Sequence, residues 1–194
     1  MRAFVIAMEC EAEAVKGALR PDDRLYLAGI GKVNAAAATQ RAIDDGATEI
    51  VNVGLAGGFG DDLEVGDVLE VASAVEYDFD LAKLNGTRVG QLNEYDMPFL
   101  PCAASGRLPQ KVLATGDRFN DSEADNLLIA EELGASLRDM EGAAVAHVCL
   151  KRGVPCRMYK CVSDVHGRGS MVGQYEVNKA IALKRLAAAM KDVL

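Results

Sequence analysis

The chain has 194 residues, half of them apolar and about a quarter charged, which suits one folded domain with a sizeable core and excludes a disordered chain. Its formal charge is −8, from 29 acidic against 21 basic side chains, so nucleic acid, which demands clustered Lys and Arg, is not an expected partner.

Residues 3–7 form a short apolar run that passes straight into acids at Glu9, Glu11 and Glu13. That is a strand feeding a helix over 9–19, and it differs from a signal peptide with its basic start and longer apolar region. No later run approaches the roughly 20 apolar residues of a membrane span, so no membrane partner and a cytoplasmic location are expected. A second strand over 25–28 breaks at Gly29-Ile30-Gly31 and leads into an Ala-rich helix over 33–43. The β-branched run 49–53 ends in Gly54-Leu55-Ala56-Gly57-Gly58, which reads as a loop whose glycines allow a ligand close to the backbone. Residues 65–77 carry strand-like spacing, with a turn at Gly66-Asp67. Periodicity then fades over 78–105, where Pro98, Pro101 and several Asn and Asp predict a long functional loop or a subunit contact. Alternation resumes with a strand at 111–115, a helix at 122–133, a strand at 135–138 and a helix at 141–151. A strand over 156–162 ends at Ser163-Asp164, and a helix over 174–193 places Val177, Ile181, Leu186, Met190 and Val193 on one face.

This order predicts a single α/β domain over residues 1–194, with a central mixed β-sheet flanked by helices on both faces. Ligands in such folds sit beyond the carboxyl ends of the strands. Those positions hold glycines and carboxylates: Glu9, Glu11, the glycines at 29–31 and 54–58, Asp117, Glu141 and Asp164. The two histidines, His147 and His166, have no second His or Cys at metal-ligand spacing, so neither metal nor cofactor is expected. Five cysteines, at 10, 102, 149, 156 and 161, form no CxxC pair and read as structural thiols. A GxSxG elbow, a P-loop and a full GxGxxG are all absent. What survives is acid and base chemistry by carboxylates beside glycine-lined backbone. On pattern alone, Glu11 could equally be a helix-face acid, and Glu141 and Asp164 ordinary helix-start or turn formers.

Six segments in order change that balance: AMECE at 7–11, GIGKVNAA at 29–36, VGLAGGF at 53–59 with LEVGDVL at 63–69, TGDRF at 115–119, DMEGAAVAHV at 139–148, and SDV at 163–165. Together they resemble the 5′-methylthioadenosine/S-adenosylhomocysteine nucleosidases of the nucleoside phosphorylase superfamily. The resemblance implies a nucleoside phosphorylase-like fold and hydrolysis of a purine N-ribosidic bond, releasing adenine from methylthioadenosine or S-adenosylhomocysteine. It assigns Glu11 to the attacking water and Asp164 to the purine N7, both as catalytic groups. It sets Met8, Ala56, Gly57, Phe119, Met140, Glu141 and Ser163 around the substrate: Phe119 stacks on the base, Met140 and Glu141 lie against the ribose, and Ser163 places Asp164. Family members are commonly homodimers in which a loop closes the partner's site, and Pro98 and Phe99 occupy that loop here.

The chemistry fits those residue types, because departure of the base leaves an oxocarbenium-like ribose that carboxylates stabilise. Asp164 is then expected to be buried with a raised pKa and Glu11 to be ionised. Departures from the phosphorylase pattern favour water as nucleophile: Asn52 stands where an Arg commonly contributes to a phosphate site, and Leu55 replaces a hydroxyl residue. Asp139, Asn120 and Cys10 depart from the plain methylthioadenosine pattern, which leaves futalosine-like or other purine nucleosides, phosphorolysis and nucleoside binding without turnover as alternatives.

Overall fold

The computed structural model describes residues 1–119 and 121–194; Asn120, which the resemblance sets beside the base, lies outside them. The first apolar run forms β1 (Arg2–Ile6), and the acidic stretch forms α1 (Glu9–Val15), extended by a 3₁₀ turn over Lys16–Ala18. Glu11 closes the first turn of α1 from within, its Oε2 accepting the Met8 N–H at 3.1 Å as a capping-box acid does. β2 (Arg24–Leu27) and α2 (Lys32–Asp44) follow as the pattern predicts.

β3 (Glu49–Gly58) corrects one expectation, since the glycine cluster at 54–58 continues the strand instead of forming a loop. Gly57 and Gly58 pair with Arg138 and Leu137 on one side and with Asp164 and Val165 on the other, so ladders on both edges hold them extended. β4 (Val68–Glu76) precedes the aperiodic segment, which carries only the short α3 (Ala82–Asn85) and β5 (Leu100–Pro101). Next come β6 (Gln110–Thr115), α4 (Glu123–Leu127) running on into a π-helical turn at Leu128–Glu132, β7 (Leu137–Asp139) and α5 (Gly142–Arg152). β8 (Cys156–Val165) runs through Ser163 and Asp164, beyond the end expected from its apolar pattern, and α6 (Met171–Val193) closes the order.

The sheet is mixed, with parallel pairs β1–β2, β1–β3, β3–β8, β4–β6 and β6–β7 and antiparallel pairs β3–β7, β4–β8 and β4–β5. Because β8 pairs with both β3 and β4, the strands β3, β8, β4, β6 and β7 close into a ring, with β1 and β2 extending from β3. Alternate strand residues supply two cores. Ala3, Val5 and Ile50 pack with Ala35 and Ala42 of α2 and Val145 and Ala146 of α5. Phe4, Ile6, Val51 and Val53 pack on the opposite side with Val15 of α1 and Ala182, Leu186 and Met190 of α6.

The inward face of α6 differs from the expected one. Val177 is 80% exposed and Ile181 51%, whereas Met171, Ala182, Leu186 and Met190 are buried. Leu186 and Met190 fix the helix rotation against β8, and that rotation turns Tyr175 inward in place of Val177. Leu186→Ala should therefore cost about 2–5 kcal/mol in urea unfolding. Val177→Ala should stay within about 0.5 kcal/mol, and equal losses would contradict this rotation.

Candidate active site

A cavity of about 370 Å³ opens over the carboxyl-terminal residues of β3, β7 and β8 and just past the end of β1. Met8, Glu11, Ala56, Gly57, Phe119, Met140, Glu141, Ser163 and Asp164, scattered through the sequence, all line it. Pro98 and Phe99 do not; they border a separate surface groove with Arg88, Val89, Glu132 and Leu133.

The first group in the cavity is a cluster of carboxylates around one ammonium. Glu11 is buried, and its Oε1 accepts the Leu55 N–H at 2.8 Å. Its approach requires glycine at 54, where a Cβ would stand 2.8 Å from Oε1. Lys160, only 1% exposed, pairs with Asp139 at 2.8 Å. Asp139 is itself fixed by the Thr115 hydroxyl at 2.6 Å and by the Gly142 N–H at 2.8 Å. Glu141 accepts the Gly31 N–H at 2.8 Å, which ties the start of α2 to the cavity. Burial alone would lower the Lys160 ammonium, but Asp139, Glu141 and Glu11 outweigh it and hold it above its ordinary value. Burial, with Asp139 as the next cause, pushes Glu141 up to about 7.

The second group is Asp164, on the far side of β3. A bulge in β8 makes it possible: Ala56 pairs with Val162 and Gly57 with Asp164, so Ser163 is the extra residue and both 163 and 164 face the cavity. The Ser163 hydroxyl donates to Asp164 Oδ2 at 2.7 Å. Oδ1 lies over Gly57, where a Cβ would come within 2.8 Å of it. Burial pushes the Asp164 carboxyl up, against the pull of Ser163 and Arg138, as expected for an acid. Burial pushes Glu11 up as well, so burial does not by itself draw the expected contrast of an ionised Glu11. The N–H groups of Leu55 and Met8 and the Lys160 charge oppose that rise without reversing it, so these shifts do not separate Glu11 from Asp164 as expected.

Phe119 and Tyr175 meet edge to face, with centroids 5.3 Å apart, and form an apolar wall. Lys160, Arg138, Asp139, Tyr175 and Leu55 line or support the site without having been assigned a place in it from the sequence. For Lys160 a signal existed, a Lys midway along an otherwise apolar strand core; for Tyr175 there was none. Among the described residues, no group of three or more His, Cys, Asp or Glu side chains could hold a metal ion.

Residues 24–194 match the family model of the phosphorylase superfamily. A 5′-methylthioadenosine/S-adenosylhomocysteine nucleosidase of Shewanella halifaxensis is 33% identical over 168 residues, covering 78% of this chain and 73% of that protein. An aminodeoxyfutalosine nucleosidase of Campylobacter jejuni is 32% identical over 150 residues, covering 71% and 66%. The chain thus spans 65–73% of the length of such relatives. A crystal structure of a 5′-methylthioadenosine/S-adenosylhomocysteine nucleosidase from Helicobacter pylori superposes with a TM-score of 0.87 at 23% identity, covering 100% of this chain and 98% of that one, which establishes the shared fold.

The raised Glu141 carboxyl has a consequence for stability. Its ordinary value is 4.5 and its value here about 7, so its contribution to folding is complete below about 4.5 and is lost as pH rises through about 7. Glu141→Gln removes that titration. In denaturant unfolding from pH 4.5 to 8 the variant should gain steadily on the wild type, and a constant difference would contradict the raised carboxyl.

Proposed function

This chain belongs to the phosphorylase superfamily, in the branch that holds the 5′-methylthioadenosine/S-adenosylhomocysteine nucleosidases, and we propose that it hydrolyses the N-ribosidic bond of a purine nucleoside. One observation carries the reading: two buried carboxyls face one cavity, Glu11 against Gly54 and Asp164 against Gly57. Three residues of strand separate those contacts by about 10 Å, which leaves room for a nucleoside and a water between them.

Asp164, with Oδ2 engaged by Ser163, presents Oδ1 to the purine N7 and shares a proton with it, so the base departs neutral. As the bond from the anomeric carbon to the base nitrogen breaks, positive charge develops on the ribose, beside Glu11, Asp139 and Glu141. Glu11 takes a proton from water, whose oxygen bonds to the anomeric carbon, giving free purine and the ribose derivative. Glu141 accepts from the ribose hydroxyls, Met140 lies against the sugar, and Phe119 stacks on the base, while Met8, Ala56 and Gly57 border the ribose. Lys160 keeps the carboxylates together through Asp139 and Glu141.

The nucleophile's environment favours water over phosphate. On the side of the cavity around Glu11, three carboxyls surround the single Lys160 ammonium, which disfavours a phosphate dianion there. Leu55 offers no hydroxyl, and the Asn52 amide donates to the Val5 carbonyl at 2.9 Å, away from the cavity. The relatives' names support methylthioadenosine or S-adenosylhomocysteine as substrates, with adenine as product, and the Campylobacter relative supports aminodeoxyfutalosine as a second reading. The reading includes a cytoplasmic homodimer in which the segment bearing Pro98 and Phe99, with exposed Leu84 and Met97 nearby, closes the 5′ end of the partner's site.

The test is to incubate the protein with methylthioadenosine in phosphate-free buffer and follow adenine by chromatography. Adenine should appear without phosphate; release only after phosphate is added would overturn hydrolysis. Asp164→Asn and Glu11→Gln should each lower kcat by about 10²- to 10⁴-fold with circular dichroism unchanged. Near-wild-type turnover in either would remove that residue from its role.

A further inference from the structure

The residues lining the cavity differ sharply in exposure. Glu11, Ser163 and Asp164 are buried, whereas Ile30 and Phe119 are exposed and Met8 and Tyr175 half-buried. Those last four residues therefore frame the mouth. Tyr175 is fixed there from two sides, its hydroxyl donating to the Met8 sulfur at 3.7 Å and its ring meeting Phe119 edge to face.

One turn further along α6, outside the lining, stands Lys179. Positions four apart on a helix share a face, and the Lys179 ammonium lies 5.4 Å from the centre of the Tyr175 ring. The side chains that act on it are those of Tyr175 and of Cys10 on α1; among the described residues its charge enters no ion pair. In a chain with 29 acidic side chains against 21 basic ones, a cation beside a ligand cavity has been left without a carboxylate.

The contacts proposed above leave one part of the nucleoside unheld. Asp164 takes the base, Glu11 the water at the anomeric carbon and Glu141 the ribose hydroxyls, all on the buried side, so the 5′ substituent is the part that leaves by the mouth. A methylthio group ends there. A longer chain continues past the Tyr175 ring to Lys179, whose ammonium carries three donors, complements a carboxylate and opposes an amine. Inside the cavity the carboxyls of Glu11, Asp139 and Glu141 disfavour a second anion, so a carboxylate on the ligand fits only at this outer end.

We propose that Lys179 is a specificity determinant that binds the terminal carboxylate of nucleosides whose 5′ chain is long enough to pass Tyr175, favouring them over nucleosides with a neutral 5′ end of equal length. The proposal rests on the nucleosidase reading of the cavity given above and deepens it by naming the chemistry of the 5′ group. S-adenosylhomocysteine carries such a carboxylate, next to an amine that Lys179 disfavours; a plain carboxyalkyl chain is the closer match.

The experiment compares 5′-(3-carboxypropylthio)adenosine with 5′-butylthioadenosine, which differ only at the last carbon, a carboxylate against a methyl group. The ratio of kcat/KM for the first to that for the second should fall about 3- to 10-fold in Lys179→Met and stay near the wild-type ratio in Lys179→Arg. An unchanged ratio in folded Lys179→Met overturns the proposal, and an equal fall in Lys179→Arg overturns charge as its cause. In wild type the ratio should also fall as sodium chloride is raised from about 0.05 to 0.5 M, because a partly exposed ion pair is screened. A ratio indifferent to salt overturns the proposal whether or not the variants fold. Calorimetric titration with the same two compounds reads the preference without turnover. A Kd ratio that depends on Lys179 and on salt, in a protein that releases adenine from neither compound, would sustain this proposal while refuting the nucleosidase reading. Release of adenine from both with no dependence on Lys179 would do the reverse.

Discussion

The site depends on one buried ion pair. Lys160 projects from the middle of β8 onto Asp139 at the end of β7, and Glu11 and Glu141 lie within range of its charge. Without that ammonium, three buried acids would be packed against one another with no opposite charge between them. A buried pair of this kind costs desolvation on both partners, so net stability is a poor explanation for it. Its effect is positional: Asp139 is locked by Thr115, Gly142 and Lys160 together, and Thr115 in turn accepts the Ala143 N–H at 2.8 Å. The start of α5 is thereby fixed, and Glu141, which immediately precedes that helix, is carried into place.

The second constraint is the composition of β3. A central strand ordinarily carries large β-branched side chains, and Ile50, Val51 and Val53 follow that rule up to the cavity. At Gly54, Gly57 and Gly58 the strand gives up bulk, and the carboxyls of Glu11 and Asp164 occupy the space a side chain would have taken at Gly54 and Gly57. Packing that would have stabilised the sheet is exchanged for acids pressed against the backbone. The closed ring of strands offsets this loss, since β3 stays paired with β8 along the glycine stretch and gains β7 as a second partner at Gly57 and Gly58.

Local order was largely legible in the sequence. Apolar runs at strand length and Ala-rich helical stretches located most elements, and the motifs around Glu11, Glu141 and Asp164 marked residues that do line one cavity. Two features differ from what the pattern predicts. The glycines at 54–58 and the pair Ser163-Asp164 looked like strand ends because polar and small residues usually end strands; here the β3–β8 ladder, joined by β7 at Gly57 and Gly58, carries the extended backbone through. The inward face of α6 was misjudged at Val177 and Ile181 because periodicity places apolar residues on a stripe without saying which stripe meets the sheet.

The sequence by itself determined the alternation of strands and helices, the acidic character of the chemistry, and the family, since motifs and periodicity are properties of neighbouring residues. Only the tertiary structure decided that Lys160 is the counter-charge of the carboxylates, that Tyr175 walls the cavity, and that Arg138 and Asp164 face each other across Gly57. The physical reason is register. Which residues meet across a sheet depends on how distant strands align, and here on a single extra residue in β8 at Ser163, which local sequence pattern does not encode.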